Sequence, residues 1–401
     1  MTHRRLPYTE FVALMAMLAA TVAFSIDSML PALPEIATEL TPDAPNIAQG
    51  IVISFVVGLG IGTLFAGPIS DAFGRKATML GGAALYIFAS ALAWRAEGLE
   101  MMFAARALQG LGAAGPRVAA VAMIRDLYSG REMARLVSFV MIVFTLVPAI
   151  APTIGAGIIA FAGWRGIFIA FIIFSALTVA WLGLRQAETR LSENRVPFRP
   201  RRLWAALIEV LRNRQVMAAT AVQTLCFAML FAVLISAQPI FDGTFGLGVE
   251  FPLYFGAISI LAGSGAFLNA QLVGRLGMRF LVRATLVGQI VLSFVMALTT
   301  YATGAIGDPF FWLTFVWMIG IFFQAGLTIG NLNALAMEPM GHIAGMAASV
   351  ISATATIVGG LLAVPLGQAF AGSPLPVATG VLVYAILALA LMQTVPDEVR
   401  E

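Results

Sequence analysis

Asp27 is the one acid that falls well inside a long apolar stretch of this chain, since Glu10 and Glu338 stand at the ends of theirs. An ionisable group in such surroundings is expensive to hold and is a functional-site hypothesis by default. Loss of hydration favours the neutral acid, so a carboxyl there is suited to taking up and releasing a proton. The plainer reading puts Asp27 at a wet rim, or makes it a cap for local backbone before Pro31. Two basic residues, Arg106 and Arg117, also fall inside an apolar stretch. Arg106 lies about 10 Å down that stretch at ~1.5 Å per residue, a depth comparable with that of Asp27 on a segment running the other way. A cation beside the acid favours its charged form, so competition between Arg106, a proton and a solute for Asp27 would couple two fluxes. Arg106 could equally be bonded to backbone carbonyls for structural reasons. Arg117 follows Pro116 and either lines a cavity, which would attract an anionic or zwitterionic solute, or snorkels towards the membrane surface.

These charges stand out because they are scarce. Of 401 residues, 60% are hydrophobic and 11% charged, against roughly 45–50% and about 25% in an ordinary soluble domain. That excludes a water-soluble globule. The apolar runs are continuous, as from Phe11 to Ile26, and lack the period-two alternation of a membrane barrel. At roughly 20 residues per crossing, the length accommodates about a dozen helices. The expected spans are Tyr8–Leu33, Ala44–Ser70, Ala77–Trp94, Leu99–Leu127, Met133–Phe161 and Trp164–Leu184, then Gln215–Ile240, Phe251–Val273, Phe280–Thr303, Phe310–Met337, Ile343–Phe370 and Pro376–Val395. The first span runs into Asp27 and Pro31 without a small-residue cleavage site and reads as a retained helix.

The longest polar stretch, residues 185–214, holds eight arginines and separates six spans from six. Residues 1–184 and 215–401 are therefore expected to be two six-helix halves joined by a basic linker. Basic loops stay on the cytoplasmic side. With both ends of the chain there, nineteen of the 23 Lys and Arg residues, including Arg4, Arg5, Arg131, Arg135 and Arg400, fall on that side. The two halves echo each other: Asp71-Ala-Phe-Gly74-Arg75-Lys76 aligns with Gly274-Arg-Leu-Gly277-Met278-Arg279, 203 residues later. A parallel repeat with a site between its halves is one layout of secondary transporters.

In the first of these turns Gly74 permits a tight bend, while Arg75 and Lys76 hold the loop at the inner surface. Asp71, at the C-terminal end of its helix, opposes the helix dipole and wants a cation or a helix N-terminus nearby. The start of the eleventh span, Arg131 and Arg135 are its expected partners in a closed cytoplasmic latch. A solvated turn acid is the plainer reading.

The stretch Gly67-Pro-Ile-Ser-Asp71-Ala-Phe-Gly74-Arg75-Lys76 resembles the signature between helices 2 and 3 of the major facilitator superfamily. Asp27-Ser-Met-Leu-Pro31-Ala-Leu-Pro34, Arg106-Ala-Leu-Gln109-Gly110-Leu-Gly112, and Pro148-Ala-Ile-Ala-Pro152-Thr-Ile-Gly155-Ala-Gly157 with Trp164-Arg165 narrow the resemblance to its twelve-span drug/proton antiporters of the Bcr/CflA type. The likeness runs from the first span to about Phe168 and is looser beyond, where Ala344-Gly345-Met-Ala-Ala-Ser349 matches best. The second-half turn departs from the pattern, with Gly274 in place of the acid.

The resemblance implies an all-α major facilitator fold of twelve transmembrane helices. It further implies proton-coupled export of small amphipathic compounds by alternating access, from a monomer in the bacterial inner membrane. The arginine matching Arg106 is linked in that family to proton transfer. Pro148, Pro152, Gly155 and Gly157 read as a packing seam, because small residues let membrane helices approach closely. Gln109, Gln223, Phe227, Gln238, Asn331 and Asn333 are candidates for an amphipathic substrate cavity. His3 and His342, with the single cysteine Cys226, offer no metal cluster, no Ser-His-Asp arrangement and no phosphate loop. No enzyme and no cofactor is expected, and a proton gradient is the expected energy source. Substrate, protons and lipid are the expected partners, without nucleic acid. A metabolite or nutrient transporter is the alternative, ahead of a channel or a non-transporting receptor.

Overall fold

The computed structural model describes residues 6–304 and 308–395, so His3, Arg4, Arg5 and Arg400 lie outside the described residues. Within them all regular structure is helical, as lipid requires of any segment that must satisfy its backbone groups internally. The helices are α1 (Tyr8–Asp27), α2 (Leu33–Leu40), α3 (Gly50–Phe73), α4 (Arg75–Trp94), α5 (Leu99–Leu127), α6 (Gly130–Arg185), α7 (Pro200–Arg212), α8 (Arg214–Pro239), α9 (Phe251–Leu276), α10 (Met278–Thr303), α11 (Asp308–Met337), α12 (Ala344–Gln368) and α13 (Leu375–Met392).

Among the described residues ten stretches are long and apolar enough to cross a membrane. Two of them, Leu146–Arg185 and Pro309–Gln368, are 40 and 60 residues long. Gly163, with φ 64° and ψ −179°, divides the first, and the 3-10 turn Glu338–Ile343 divides the second. That is consistent with the twelve expected crossings. The first expected span is broken sooner than its hydrophobicity suggests. α1 stops at Asp27, a 3-10 turn follows over Leu30–Ala32, and α2 begins at Leu33. Pro31 and Pro34 enforce the break, since each lacks the N–H that a continuous helix would use.

The chain separates into two compact units, Met1–Asp43 with Gly50–Arg201, and Ala44–Gln49 with Arg202–Glu401. The division falls inside the stretch expected to be a linker. In the first unit α3 and α4 both pack on α5, and α1 and α4 pack on α6. Glycines set the closeness of these contacts: a Cβ on Gly110 would collide with the Phe55 carbonyl, and one on Gly112 would lie 2.6 Å from the Tyr86 nitrogen. In the second unit α8 packs on α11, α12 and α13, with α9 on α11 and α10 on α11 and α13. The short segment 44–49 serves this unit. Asn46 Nδ2 donates to the carbonyls of Gln368 (3.2 Å) and Phe370 (2.7 Å), which the end of α12 leaves without helical partners.

Candidate functional site

Arg106 on α5 is wholly buried. Its Nη2 donates to the Ser25 carbonyl of α1 at 3.0 Å, its Nε reaches the Ile51 carbonyl of α3 at 3.4 Å, and its Nη1 donates to Gln109 Oε1 one turn along α5. The guanidinium lies 4.6 Å from the centroid of the Phe55 ring. A buried charge needs such partners, and here every one of them is neutral.

The shell around it is closed by hydroxyls. Gln109 Nε2 donates to Ser90 Oγ at 2.7 Å, and Ser90 in turn donates to the Tyr86 carbonyl at 2.7 Å. Ser25 Oγ donates to the Thr21 carbonyl and stands 2.6 Å from the Tyr86 hydroxyl. Ser25 has spent its single proton on Thr21, so Tyr86 is the donor to Ser25. Sequence reasoning missed Ser25, Tyr86 and Ser90. Their only signal is that they are polar residues inside expected first-half spans, and nothing in their type ties them to Arg106.

Asp27 ends α1 and is 5% exposed. Among the described residues no hydrogen bond or ion pair reaches its carboxylate, and it makes no ion pair with Arg106. The two are brought to the same part of the first unit through Ser25, two residues before Asp27, and not by direct contact. A carboxyl without a fixed partner can gain or lose a proton without first breaking a salt bridge. Gly155 of α6 packs against this corner, where a Cβ would collide with the Ser28 carbonyl. Pro152 is buried and Pro148 half-buried. Gly157 departs from the expected packing seam: it is exposed, with open space where a Cβ would stand.

The residues expected to line a substrate cavity divide. Gln109 is wholly buried and bonded at both ends of its amide, so it is a support for Arg106 and not a cavity surface. Arg117 is exposed, with no ion pair among the described residues. On α8, Phe227 stacks on Phe231 at 5.4 Å, one turn from Gln223, whose buried Oε1 has no partner. Gln238 is buried near the end of the same helix. On α11, Asn331 donates to Asn269 Oδ1 of α9 at 2.7 Å and to the Leu327 carbonyl at 2.8 Å, which makes it a packing contact. Asn333 has a buried Oδ1 without a partner. A cavity of about 530 Å³ between α3 and α4 over α5 is lined almost wholly by apolar residues such as Phe65, Ile69 and Leu85. It contains none of the expected site residues.

At the turn between α3 and α4, Gly74 adopts φ 104°. Asp71 pairs with Arg75 at 2.8 Å and lies 3.9 Å from Arg190, rather than with Arg131 or Arg135. Arg75 stands four residues further on, just past the Gly74 bend, and reaches Asp71 first, while Arg131 is exposed and makes no ion pair among the described residues. Arg75 also bonds Asp126 at 3.0 Å and Ser70 Oγ at 3.0 Å. The missed residue is Glu188. Its carboxylate accepts the backbone N–H groups of Arg75 (2.9 Å) and Lys76 (3.0 Å), where the N-terminus of α4 favours an anion. Lys76 Nζ donates to the Gly183 carbonyl at 2.8 Å, Val196 N–H to the Asp71 carbonyl at 3.1 Å, and Thr189 Oγ1 to Asp126 at 3.1 Å. The opening of the expected linker is thereby tied to the first unit. In the second unit Gly277 repeats the turn with φ 79°, and the acid missing at Gly274 comes from Glu338, which pairs with Arg279 at 2.9 Å.

Residues 14–364 match the family described as the Major Facilitator Superfamily. Over 356 residues the chain is 29% identical to a bicyclomycin resistance protein homolog of Haemophilus influenzae, a match covering 88% of this chain and 87% of that one. It is 25% identical to multidrug resistance protein D of Escherichia coli K12, again over 88% and 87% of the two chains. Among solved structures it is similar to a D-xylose–proton symporter, with a TM-score of 0.76 at 15% identity, over 97% and 98% of the two chains.

Proposed function

The chain belongs to the major facilitator superfamily, and from that premise we propose that it is a proton-coupled exporter of small amphipathic compounds, antibiotics among them. As a member it is a multi-pass membrane transporter and not an enzyme. The observation that carries the proton-coupled reading is the presence, in the same part of the first unit, of a buried acid without a partner, Asp27, and a buried arginine held only by neutral groups, Arg106. Protonation of Asp27 would favour one state of the cavity, and deprotonation with substrate the other, as the two halves alternate in access. The relatives named for resistance to bicyclomycin and to multiple drugs support efflux as the direction. The imbalance of Lys and Arg supports both ends on the cytoplasmic side of a bacterial inner membrane. No cofactor is needed in this reading; the proton gradient supplies the energy, and a monomer suffices. Asp71, Gly74, Arg75 and Lys76 would steady the cytoplasmic turn during the cycle.

A second reading rests on Arg117, a cation inside a span that suits an anionic or zwitterionic solute and so a metabolite transporter. Both readings meet one experiment. Inverted membrane vesicles carrying the protein are given an imposed pH gradient, and uptake of a fluorescent amphipathic cation is followed for the wild type and Asp27→Asn. Gradient-driven uptake that Asp27→Asn abolishes is expected. Uptake unchanged by the substitution would sink the proton role. Absence of cation uptake, with gradient-driven uptake of a zwitterionic solute, would select the second reading.

A further inference from the structure

α7 has two apolar faces, and the protein covers one. Leu203, Ala206 and Val210 are buried, at 9%, 2% and 1% exposure. On the opposite side Trp204, Ile208 and Leu211 recur at spacings of four and three, which place them on one stripe. Trp204 is 63% and Leu211 49% exposed. Arg201 and Arg212 border this stripe, both exposed and without an ion pair among the described residues.

Position settles what such a face meets. α7 ends at Arg212 and the membrane-crossing α8 starts at Arg214, with only Asn213 between them. Asn213 Oδ1 caps α8 by accepting the N–H groups of Gln215 (3.0 Å) and Val216 (3.1 Å). With no spacer, α7 is held at the mouth of the bilayer. Glu209 of α7 meets His342 at 2.6 Å, just before α12, which fixes the helix from its inner side. A helix so placed, with tryptophan and aliphatic groups between arginines, has the composition of an interfacial element that engages anionic lipid.

We propose that the outward face of α7 is a binding surface for the headgroups of anionic phospholipid. Trp204, Ile208 and Leu211 rest at the boundary between headgroups and acyl chains, and Arg201 and Arg212 hold the phosphate groups. The surface does not depend on which solute is carried, nor on which side of the membrane α7 lies.

The test places a cysteine at exposed Ala205 in the full chain. Cys226 is wholly buried, so a thiol-reactive, environment-sensitive fluorophore takes position 205. The labelled protein is put into lipid nanodiscs, which present the same lipid on both faces, and quenching by spin-labelled phosphatidylglycerol is compared with quenching by spin-labelled phosphatidylcholine at equal mole fraction. Stronger quenching by the anionic lipid is expected, with a preference of about fivefold for each arginine that meets a headgroup. Replacing Arg201 and Arg212 by Gln should bring the two curves together. Equal quenching by the two lipids in the unsubstituted protein, or a fluorophore that only aqueous iodide quenches, would overturn the proposal. The comparison in the unsubstituted protein decides the matter even if the double variant does not fold.

Discussion

Ser90 and Ser293 stand 203 residues apart, and each accepts a buried N–H from the following transmembrane helix of its own unit: Gln109 Nε2 at 2.7 Å for Ser90 and Trp317 Nε1 at 3.1 Å for Ser293. The same separation relates the turn glycines Gly74 and Gly277. The two units thus share a frame down to single hydrogen bonds, and differ in what the frame supports. In the second unit the donor is an aromatic residue and the serine also receives Gln289 at 2.8 Å. In the first the donor is an amide whose oxygen holds a buried arginine.

Gln109→Leu should therefore do more harm than Trp317→Phe. The first leaves a buried guanidinium N–H without its acceptor, at a cost of about 1–3 kcal/mol, whereas Ser293 keeps Gln289 when the indole is lost. Thermal unfolding in detergent should show the larger drop for Gln109→Leu. Equal drops would mean that Arg106 does not rely on Gln109.

Arg106→Lys keeps the charge and should still fail. The guanidinium sends donors towards Ser25, Ile51 and Gln109, on three helices' worth of acceptors, and lies on the Phe55 ring. A compact ammonium cannot reproduce that fork. Loss of gradient-driven uptake in vesicles, roughly tenfold or more for each charge-assisted bond forfeited, is the expected result.

Gly155→Ala and Gly157→Ala form a matched pair. The first puts a methyl group into the Ser28 carbonyl beside Asp27 and should destabilise by about 1–3 kcal/mol. The second points into open space and, replacing glycine inside a helix, should leave stability unchanged or raise it by up to about 1 kcal/mol. Unfolding curves for the two variants would separate them.

Glu188→Ala removes the acid seated on the first amides of α4. A lost helix cap costs about 1 kcal/mol, so the attached linker should open about fivefold more often and be cut by trypsin correspondingly faster. Cleavage at Arg190 and Arg195 at the wild-type rate would show that the linker is held by something else.

Hydrophobic runs announced the helices, and the scarcity of charge pointed to Asp27 and Arg106. The partners of Arg106 were not legible. Ser25 lies 81 residues away and Tyr86 touches Ser25 across 61, and nothing in a serine or tyrosine by itself says which distant helix it faces. Glu188 was hidden for a related reason. It sits in a stretch dominated by arginine, which reads as solvated chain until the α4 amides it caps are placed beside it. The proline break after Asp27 was visible as Pro31 and Pro34, yet the continuous apolar content around it argued for a longer helix.

The ties made by Glu188, Thr189 and Val196 bear on where this polypeptide could be divided. The first unit owns the connection up to the exposed residues just before Pro200, and the second owns most of α7. Two separately translated chains meeting near Pro200 would each keep their own stitching and should reassemble in the membrane. A break at the membrane exit, Arg185, would deprive α4 of the acid that seats its first turn. The boundary between the two units, read from the stitching, therefore lies beyond the last crossing of the first unit.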